Sequence, residues 1–453
     1  MKKSLGIPAI LCALLVSLVA VGPAAAKGGS DHLDLSFGKN GRAIVRPGLG
    51  RSEDWAQSRV FAARAPDGQT VVAASKTGGR GARIVRFDRD GKLDRSFGRN
   101  GVVTIETVLG ARFAPAGIAV GRDGRIVIAG KAVVVALDQG GALDPRFGGG
   151  SGAVRPALPI PRIPLAPGET PPAGPVGYAI SDIVVDGAGR IVITGSANRA
   201  SSICPINSGY IARLTAEGGL DPSFGSGGVV LYDPNLAAAS GAVALAPEGA
   251  LATWHQTQVC KVGKPESRIE LLSGSGQPSW SFDTELAVGP VEFGAESDPG
   301  APAGVAVDRV GDTVFVTSDG TVGRLLRDGT LDPGFGSGGV FDLRVTGQPE
   351  FSGIAAAPDG SVLVTGSREA ATRVTVTRTA FLASLTAAGK PRRGFGDRGV
   401  ITLRSAPGGG TTGHEAIALG NSAALVAGTG GNVIRHTPPG VGLFRFVLDP
   451  RRR

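Results

Sequence analysis

The chain reads as a long series of short apolar runs separated by turn residues, without the wider apolar stripes of amphipathic helices. Gly117-Ile118-Ala119-Val120 leads through Arg122-Asp123-Gly124-Arg125 into Ile126-Val127-Ile128-Ala129-Gly130. Two β-branched runs joined at Asp-Gly predict a hairpin. A third run follows, such as Tyr210-Ile211-Ala212-Arg213-Leu214, and after a polar interval a fourth, such as Gly228-Val229-Val230-Leu231-Tyr232. This order of four runs, here A to D, recurs along the chain and predicts antiparallel strands.

Between runs C and D stands a recurring hexapeptide. Leu33-Asp34-Leu35-Ser36-Phe37-Gly38 returns as Leu93-Asp94-Arg95-Ser96-Phe97-Gly98, Leu143-Asp144-Pro145-Arg146-Phe147-Gly148 and Leu220-Asp221-Pro222-Ser223-Phe224-Gly225. Two further copies are Leu331-Asp332-Pro333-Gly334-Phe335-Gly336 and the eroded Pro391-Arg392-Arg393-Gly394-Phe395-Gly396, and Pro278-Ser279-Trp280 reads as a seventh with tryptophan in place of phenylalanine. The aromatic recurs at an even interval, broken once between Phe147 and Phe224, which is one repeated unit carrying one insertion.

Four sequential strands make a propeller blade. Complete A–B–C bodies begin near residues 58, 115, 179, 240, 302, 352 and 414. The last body, ending at Leu443-Phe444-Arg445-Phe446, has no motif after it, and the first motif, with Gly41 to Val45, has no body before it. The expectation is an all-β, seven-bladed propeller with four antiparallel strands per blade, in which the N-terminal strand completes the last blade. An open solenoid is the alternative, but one missing piece at each end favours circular closure. A closed ring leaves no large unpaired edges, and a monomer is expected.

At these motifs the chain resembles the delta-60 repeat family of bacterial secreted and surface proteins. The resemblance covers nearly all of residues 27–453 through the pattern Leu-Asp-x-Ser-Phe-Gly-x-x-Gly-x-Val, and departs from it most at Trp280 and Pro391. It implies a propeller and no particular activity. The form of the motif has a physical reading beside this. Aspartate opens the reversal between strands C and D, and glycine takes positive φ. The aromatic then folds back between blades, so Phe37, Phe97, Phe147, Phe224, Trp280, Phe335 and Phe395 read as packing residues.

The N-terminus changes the picture of location. Lys2 and Lys3 precede an apolar run from about Leu5 to Val21 and then Gly22-Pro23-Ala24-Ala25-Ala26. This is the layout of a secretory signal peptide over residues 1–26, cleaved after Ala26. An uncleaved anchor is the alternative, and Gly22-Pro23 with the alanine cluster favours cleavage. Cys12 lies within the run and lacks a lipobox. No later segment is long and apolar enough to span a membrane, so residues 27–453 are expected as one propeller outside the cytoplasm. The chain contains 73 glycines, as many tight reversals require, and its net charge of +9 is scattered along the chain. Without a basic stripe interleaved with aromatics, nucleic-acid binding is not expected. Arg451-Arg452-Arg453 reads as a solvated tail.

Candidate chemistry is sparse. Asp88-Arg89-Asp90-Gly91-Lys92-Leu93-Asp94 resembles the start of a calcium loop, but Asp88 is matched in other repeats by Asp138, Thr215, Leu326 and Thr386, and Asp90 by Gly140, Glu217 and Ala388, which favours turn chemistry. The histidines His32, His255, His414 and His436 show no metalloprotease spacing, and Gly150-Ser151-Gly152 and Gly274-Ser275-Gly276 fail the nucleophile-elbow spacing. No catalytic, cofactor or metal residue is therefore assigned, and an enzyme is the less favoured reading. Trp254-His255 reads as packing, with a pocket lining as its alternative. The few tryptophans and tyrosines do not support a sugar platform.

Cys204 and Cys260 fall in the B–C loops of the third and fourth bodies, adjacent on one face, and are expected to form a disulfide in an exported chain. That face also carries the proline-rich insertion 155–177 and the loops 196–209, 256–268 and 367–380. Variable loops on a rigid scaffold are where binding concentrates. The expected function is an interaction scaffold for a protein or envelope partner, bound beside blades three and four. A hydrolase or lyase at the channel mouth is the alternative, and would show as ionisable groups converging there.

Overall fold

The computed structural model describes residues 32–45, 60–75, 81–159, 177–198, 207–232, 237–258, 266–284, 302–371, 376–403, 409–419, 423–432 and 437–448. Over these residues the chain forms seven four-stranded antiparallel sheets and one short hairpin, Thr107–Val108 with Ala111–Arg112.

Strands A to D of blade one are Val60–Arg64, Thr70–Ser75, Ala82–Phe87 and Val102–Ile105, and those of blade two are Pro115–Val120, Ile126–Gly130, Val134–Leu137 and Ala153–Val154. Blade three comprises Gly177–Val185, Ile191–Asn198, Asn207–Leu214 and Val229–Leu231, and blade four Ala237–Leu245, Leu251–Gln258, Glu266–Leu272 and Pro278–Asp283. Blade five comprises Pro302–Val307, Thr313–Thr317, Thr321–Leu325 and Val340–Asp342, and blade six Gln348–Ala356, Val362–Ala371, Val376–Leu385 and Val400–Leu403. Blade seven takes Gly409–Leu419, Ala423–Asn432 and Thr437–Val447 from the end of the chain and its D strand, Arg42–Val45, from the beginning. The register there is Arg42 opposite Phe444 and Val45 opposite Val441. The fold is the seven-bladed propeller that the repeat count predicts.

Successive A strands touch one another round the ring, from blade one to blade seven and back, which places them innermost. Six of them carry a bulge at a corresponding place, as between Ile180 and Asp182 or Gly413 and Glu415. One extra residue there bends the strand. Asp182 uses its bulge to join two blades, its carboxylate accepting the Ile183 N–H at 2.8 Å and the Val243 N–H of the next A strand at 3.0 Å.

The core lies between blades. Val127, Phe147, Ile193 and Leu214 join blades two and three, and Phe37, Val72, Val85 and Leu443 join blades seven and one. Burying both faces of a sheet explains the continuous apolar runs within strands B and C, such as residues 126–129 and Val134–Leu137. No helix among the described residues is long and apolar enough to cross a membrane.

Candidate functional site

The motif residues have structural duties that consume most of their polar groups. In blade one the Asp94 carboxylate accepts the Ser96 N–H at 3.0 Å and the Ser96 hydroxyl at 2.6 Å, closing the turn. Its other oxygen takes the Arg86 Nε–H at 2.8 Å. The Arg86 guanidinium lies 4.6 Å from the Phe97 ring and donates across to the Gln139 carbonyl of blade two. Phe97 is buried against the C–D turn of that blade, where a Cβ on Gly141 would fall 2.8 Å from its ring. Gly141 has φ +88, so glycine is required there by the turn and by the approaching ring alike.

The same arrangement is formed by Arg213 with Asp221 at 2.7 Å, and by Arg445 with Asp34 at 3.2 Å. Blade two lacks the strand-C arginine, having Ala136 instead, and Arg125 from the start of strand B reaches Asp144 at 2.7 Å. Arg146 also hydrogen-bonds Asp144, and chiefly through that bond, with Arg125 adding its charge, holds the carboxyl at about 2.

Blade four differs. Strand C turns at 273–277 directly into strand D, so Trp280 sits within that strand and opposite Leu271, outside any motif turn. It is half-buried, unlike the buried Phe37, Phe97, Phe147, Phe224, Phe335 and Phe395. Its ring still lies against the turn glycine of the next blade, Gly329, and its indole N–H donates to the Arg327 carbonyl at 2.7 Å.

The other sequence candidates scatter. Asp88 of the calcium-like loop accepts the Asp90 and Lys92 N–H groups at 2.9 and 2.8 Å, a turn bond within its own loop. Among the described residues, no group of three or more His, Cys, Asp or Glu is placed to hold a metal. His32 lies at the blade six–seven junction, and the backbone of His414 lies at the bulge in strand A of blade seven. Trp254 packs on Gly241. Cys204, Cys260, His436, residues 1–26, Trp55, most of the insertion and the tips of the long B–C loops lie outside the described residues.

One interface turns polar. Pairings of strands B and C in blade four put Leu251, Thr253 and His255 on one face with Leu272, Glu270 and Arg268. Leu251 and Leu272 pack against blade three together with Val192, Ile211 and Phe224. Further along that face the apolar pairs give way to Glu270 and His255. Tyr232, directly after strand D of blade three, donates its hydroxyl to Glu270 Oε2 at 2.8 Å, and its ring stacks on His255 with centroids 4.0 Å apart and 18° between planes.

Burial, helped by Arg268, pushes the His255 imidazole down to about 4. Burial also raises Tyr232 well above its ordinary value, as does the neighbouring Glu270. It raises Glu270 against the opposing effects of the Tyr232 hydrogen bond and Arg268. His255 Nδ1 is buried without a hydrogen-bond partner among the described residues.

Tyr232 and Glu270 open onto a cleft of about 800 Å³ between blades three and four, flanked by Pro159, Ser226, Leu231 and Gln277. Pro159 is the last described residue before the insertion continues. A smaller hollow of about 440 Å³ lies between blades one and two at the A–B turns, lined by Asp67, Arg86, Arg122 and Gln139. That hollow is on the side which the short, repetitive turns had made the less expected one, and residues 225–227 of the motif turn with residues 276–278 of the C–D hairpin bring the larger cleft to that side as well. No motif marks Tyr232 or Glu270 in the sequence. The available signal was Thr253, His255, Arg268 and Glu270 alternating on one face of two adjacent strands.

The family described as a domain of unknown function (DUF5122) beta-propeller matches residues 65–97 and 189–224. Each matched segment runs from the A–B turn to the motif phenylalanine, in blades one and three. No curated protein matches the sequence. Among solved structures, the chain is similar to the Myceliophteria thermophila Cps50 (Swd1) beta-propeller domain, at 11% identity over 85% of this chain and 95% of that one, with a TM-score of 0.43. YCF48 bound to D1 peptide matches at 9% identity over 91% and 97%, with a TM-score of 0.42. A gluconolactonase from Xanthomonas campestris, XC5397, matches at 13% identity over 89% and 94%, with a TM-score of 0.34. These similarities concern the propeller fold alone.

Proposed function

We propose that this chain is an exported propeller of the delta-60 type that acts as a binding scaffold, with its partner seated in the cleft between blades three and four. The observation that carries this reading is the polar break in an otherwise apolar interface. Tyr232, Glu270 and His255 stand where packing alone would place aliphatic side chains, and Tyr232 and Glu270 border a cleft large enough for a ligand. Blade four is also the blade whose C–D connection lacks the motif turn, and Gln277 and Pro278 of its hairpin form one wall. A Cys204–Cys260 disulfide between the adjacent B–C loops belongs to the same reading of an exported chain.

The test is capture of envelope and medium proteins on immobilised residues 27–453. Gln277→Trp fills the cleft from an exposed position, and deletion of 155–177 removes the flanking insertion. Loss of the same captured protein with Gln277→Trp supports the reading, and unchanged capture rejects it. Mass measurement of the secreted protein before and after reduction and alkylation tests both the cleavage after Ala26 and the disulfide.

A further inference from the structure

Resting on that reading, we propose that the cleft takes an extended peptide segment laid along the outer edge of blade-three strand D, with a lysine or arginine side chain set against the Oε1 carboxylate oxygen of Glu270. The edge is the first reason. Among the described residues, strand D, Val229–Leu231, pairs with Ala212–Tyr210 on its inner side and with no strand on its outer side. The Arg213 N–H donates to the Gly228 carbonyl and the Tyr232 N–H to the Gly209 carbonyl. Residues 228 and 232 therefore turn their polar backbone groups inward, and by alternation Leu231 turns its N–H and C=O outward. Leu231 lines the cleft, and among the described residues nothing pairs with its outward N–H and C=O, so a peptide there meets a donor and an acceptor, the basis of strand addition.

Charge supplies the second reason. Glu270 is the one charged side chain lining the cleft among the described residues. Its Oε2 is occupied by the Tyr232 hydroxyl, and Oε1 accepts no hydrogen bond from a described residue. The neighbouring Arg268 guanidinium is turned to Glu266 at 3.0 Å. A half-buried carboxylate with one oxygen unspent gains most from an arriving cation, because its desolvation is already incurred. The walls of Val229, Val230, Leu272 and Pro278 suit the aliphatic stem of a basic side chain.

The experiment titrates the mature chain with fluorescein-labelled acetyl-Val-Thr-Lys-Thr-Val-amide, its norleucine counterpart, and 1,5-diaminopentane as competitor. The lysine peptide is expected to bind at least tenfold more tightly than the norleucine peptide. Glu270→Gln should erase that difference, with no further loss when both changes are combined. Equal binding of the two peptides, or no binding of the lysine peptide up to about 1 mM, a level marking the weak end of affinity, overturns the proposal. Diaminopentane that competes as well as the unlabelled lysine peptide overturns the peptide edge. The norleucine comparison uses unmodified protein, so it stands even where Glu270→Gln disturbs folding. Failure here with loss of partner capture in Gln277→Trp leaves the scaffold reading intact, whereas unchanged capture in Gln277→Trp rejects that reading itself.

Discussion

Gly396 donates its backbone N–H to Nε2 of the buried His32 imidazole, 3.3 Å away and 364 positions distant in sequence. At other interfaces the motif glycine donates to a carbonyl in the next blade's C–D turn, as Gly98 does to Gly140 at 2.8 Å and Gly336 to Ala388 at 2.9 Å. Strands C and D of blade seven come from opposite ends of the chain, so His32 provides the acceptor there. With Nε2 accepting, Nδ1 carries the proton and donates to the Val447 carbonyl at 3.3 Å. The ring also meets Phe395, with centroids 4.9 Å apart. A histidine that could have been read as catalytic thus helps to close the ring.

Replacing His32 with phenylalanine keeps the ring volume but leaves the Gly396 N–H without its acceptor. Stability should fall by about 1–3 kcal/mol, the cost of a buried unsatisfied donor. Urea unfolding measures the loss, and faster hydrogen exchange at the Gly396 amide locates it. Exchange unchanged at Gly396 would contradict the assigned bond.

The arginine–aspartate pairs should differ sharply in worth. Arg213→Ala removes the bonds to Asp221, Ser223 and the Gly274 carbonyl and the cover over Phe224. Asp221 keeps Arg190 at 3.8 Å and the Ser223 bonds, so the loss should fall below the full cost of a stranded buried charge, at about 2–3 kcal/mol. Arg344 and Asp342 pair at 2.7 Å with side chains 88% and 58% exposed, so Arg344→Ala should change stability by less than about 1 kcal/mol. Thermal unfolding of the two variants decides the ranking.

Acid should weaken the fold through His255. The unfolded imidazole takes up a proton near 6.5, whereas in the fold burial delays uptake to about 4. The unfolded chain therefore binds more protons across that window, and stability falls as pH drops through it. At about 1.4 kcal/mol per pH unit of displacement, the His255 contribution approaches ~3 kcal/mol. Glu270 acts in the opposite sense just above 4.5, because its raised carboxyl protonates first in the fold. His255→Phe keeps a ring against Tyr232 and should flatten the decline in unfolding midpoints measured from pH 7 to 4.

Two glycines separate backbone conformation from packing. Gly149→Ala sets a Cβ in open space at φ +66 and should cost about 1 kcal/mol, the ordinary left-handed penalty. Gly141→Ala, at φ +88, adds a Cβ 2.7 Å from Val103 and 2.8 Å from Phe97, and should cost several times more. Equal losses in denaturant unfolding would show that the Phe97 ring yields readily.

Much of the architecture was legible because each blade is a local object. Alternating β-branched runs, Asp-Gly turns and the motif lie within one repeat, so counting them gave seven blades, and the incomplete ends gave the closure later seen between Arg42–Val45 and Val441–Phe444. Trp280 was partly legible. Its place against Gly329 follows the repeat, but its position within strand D depends on a hairpin that strand pairing decides. Arg125 standing in for an arginine absent at Ala136, and His32 for a missing turn carbonyl, depended on what neighbouring blades left unsatisfied. The same holds for Tyr232 and Glu270, which belong to different blades and meet only when blade three is docked on blade four. Local pattern therefore determined the blade and its number. The interfaces between blades decided which polar groups are spent on structure and which remain open to a ligand, because hydrogen-bond satisfaction is settled by neighbours in space.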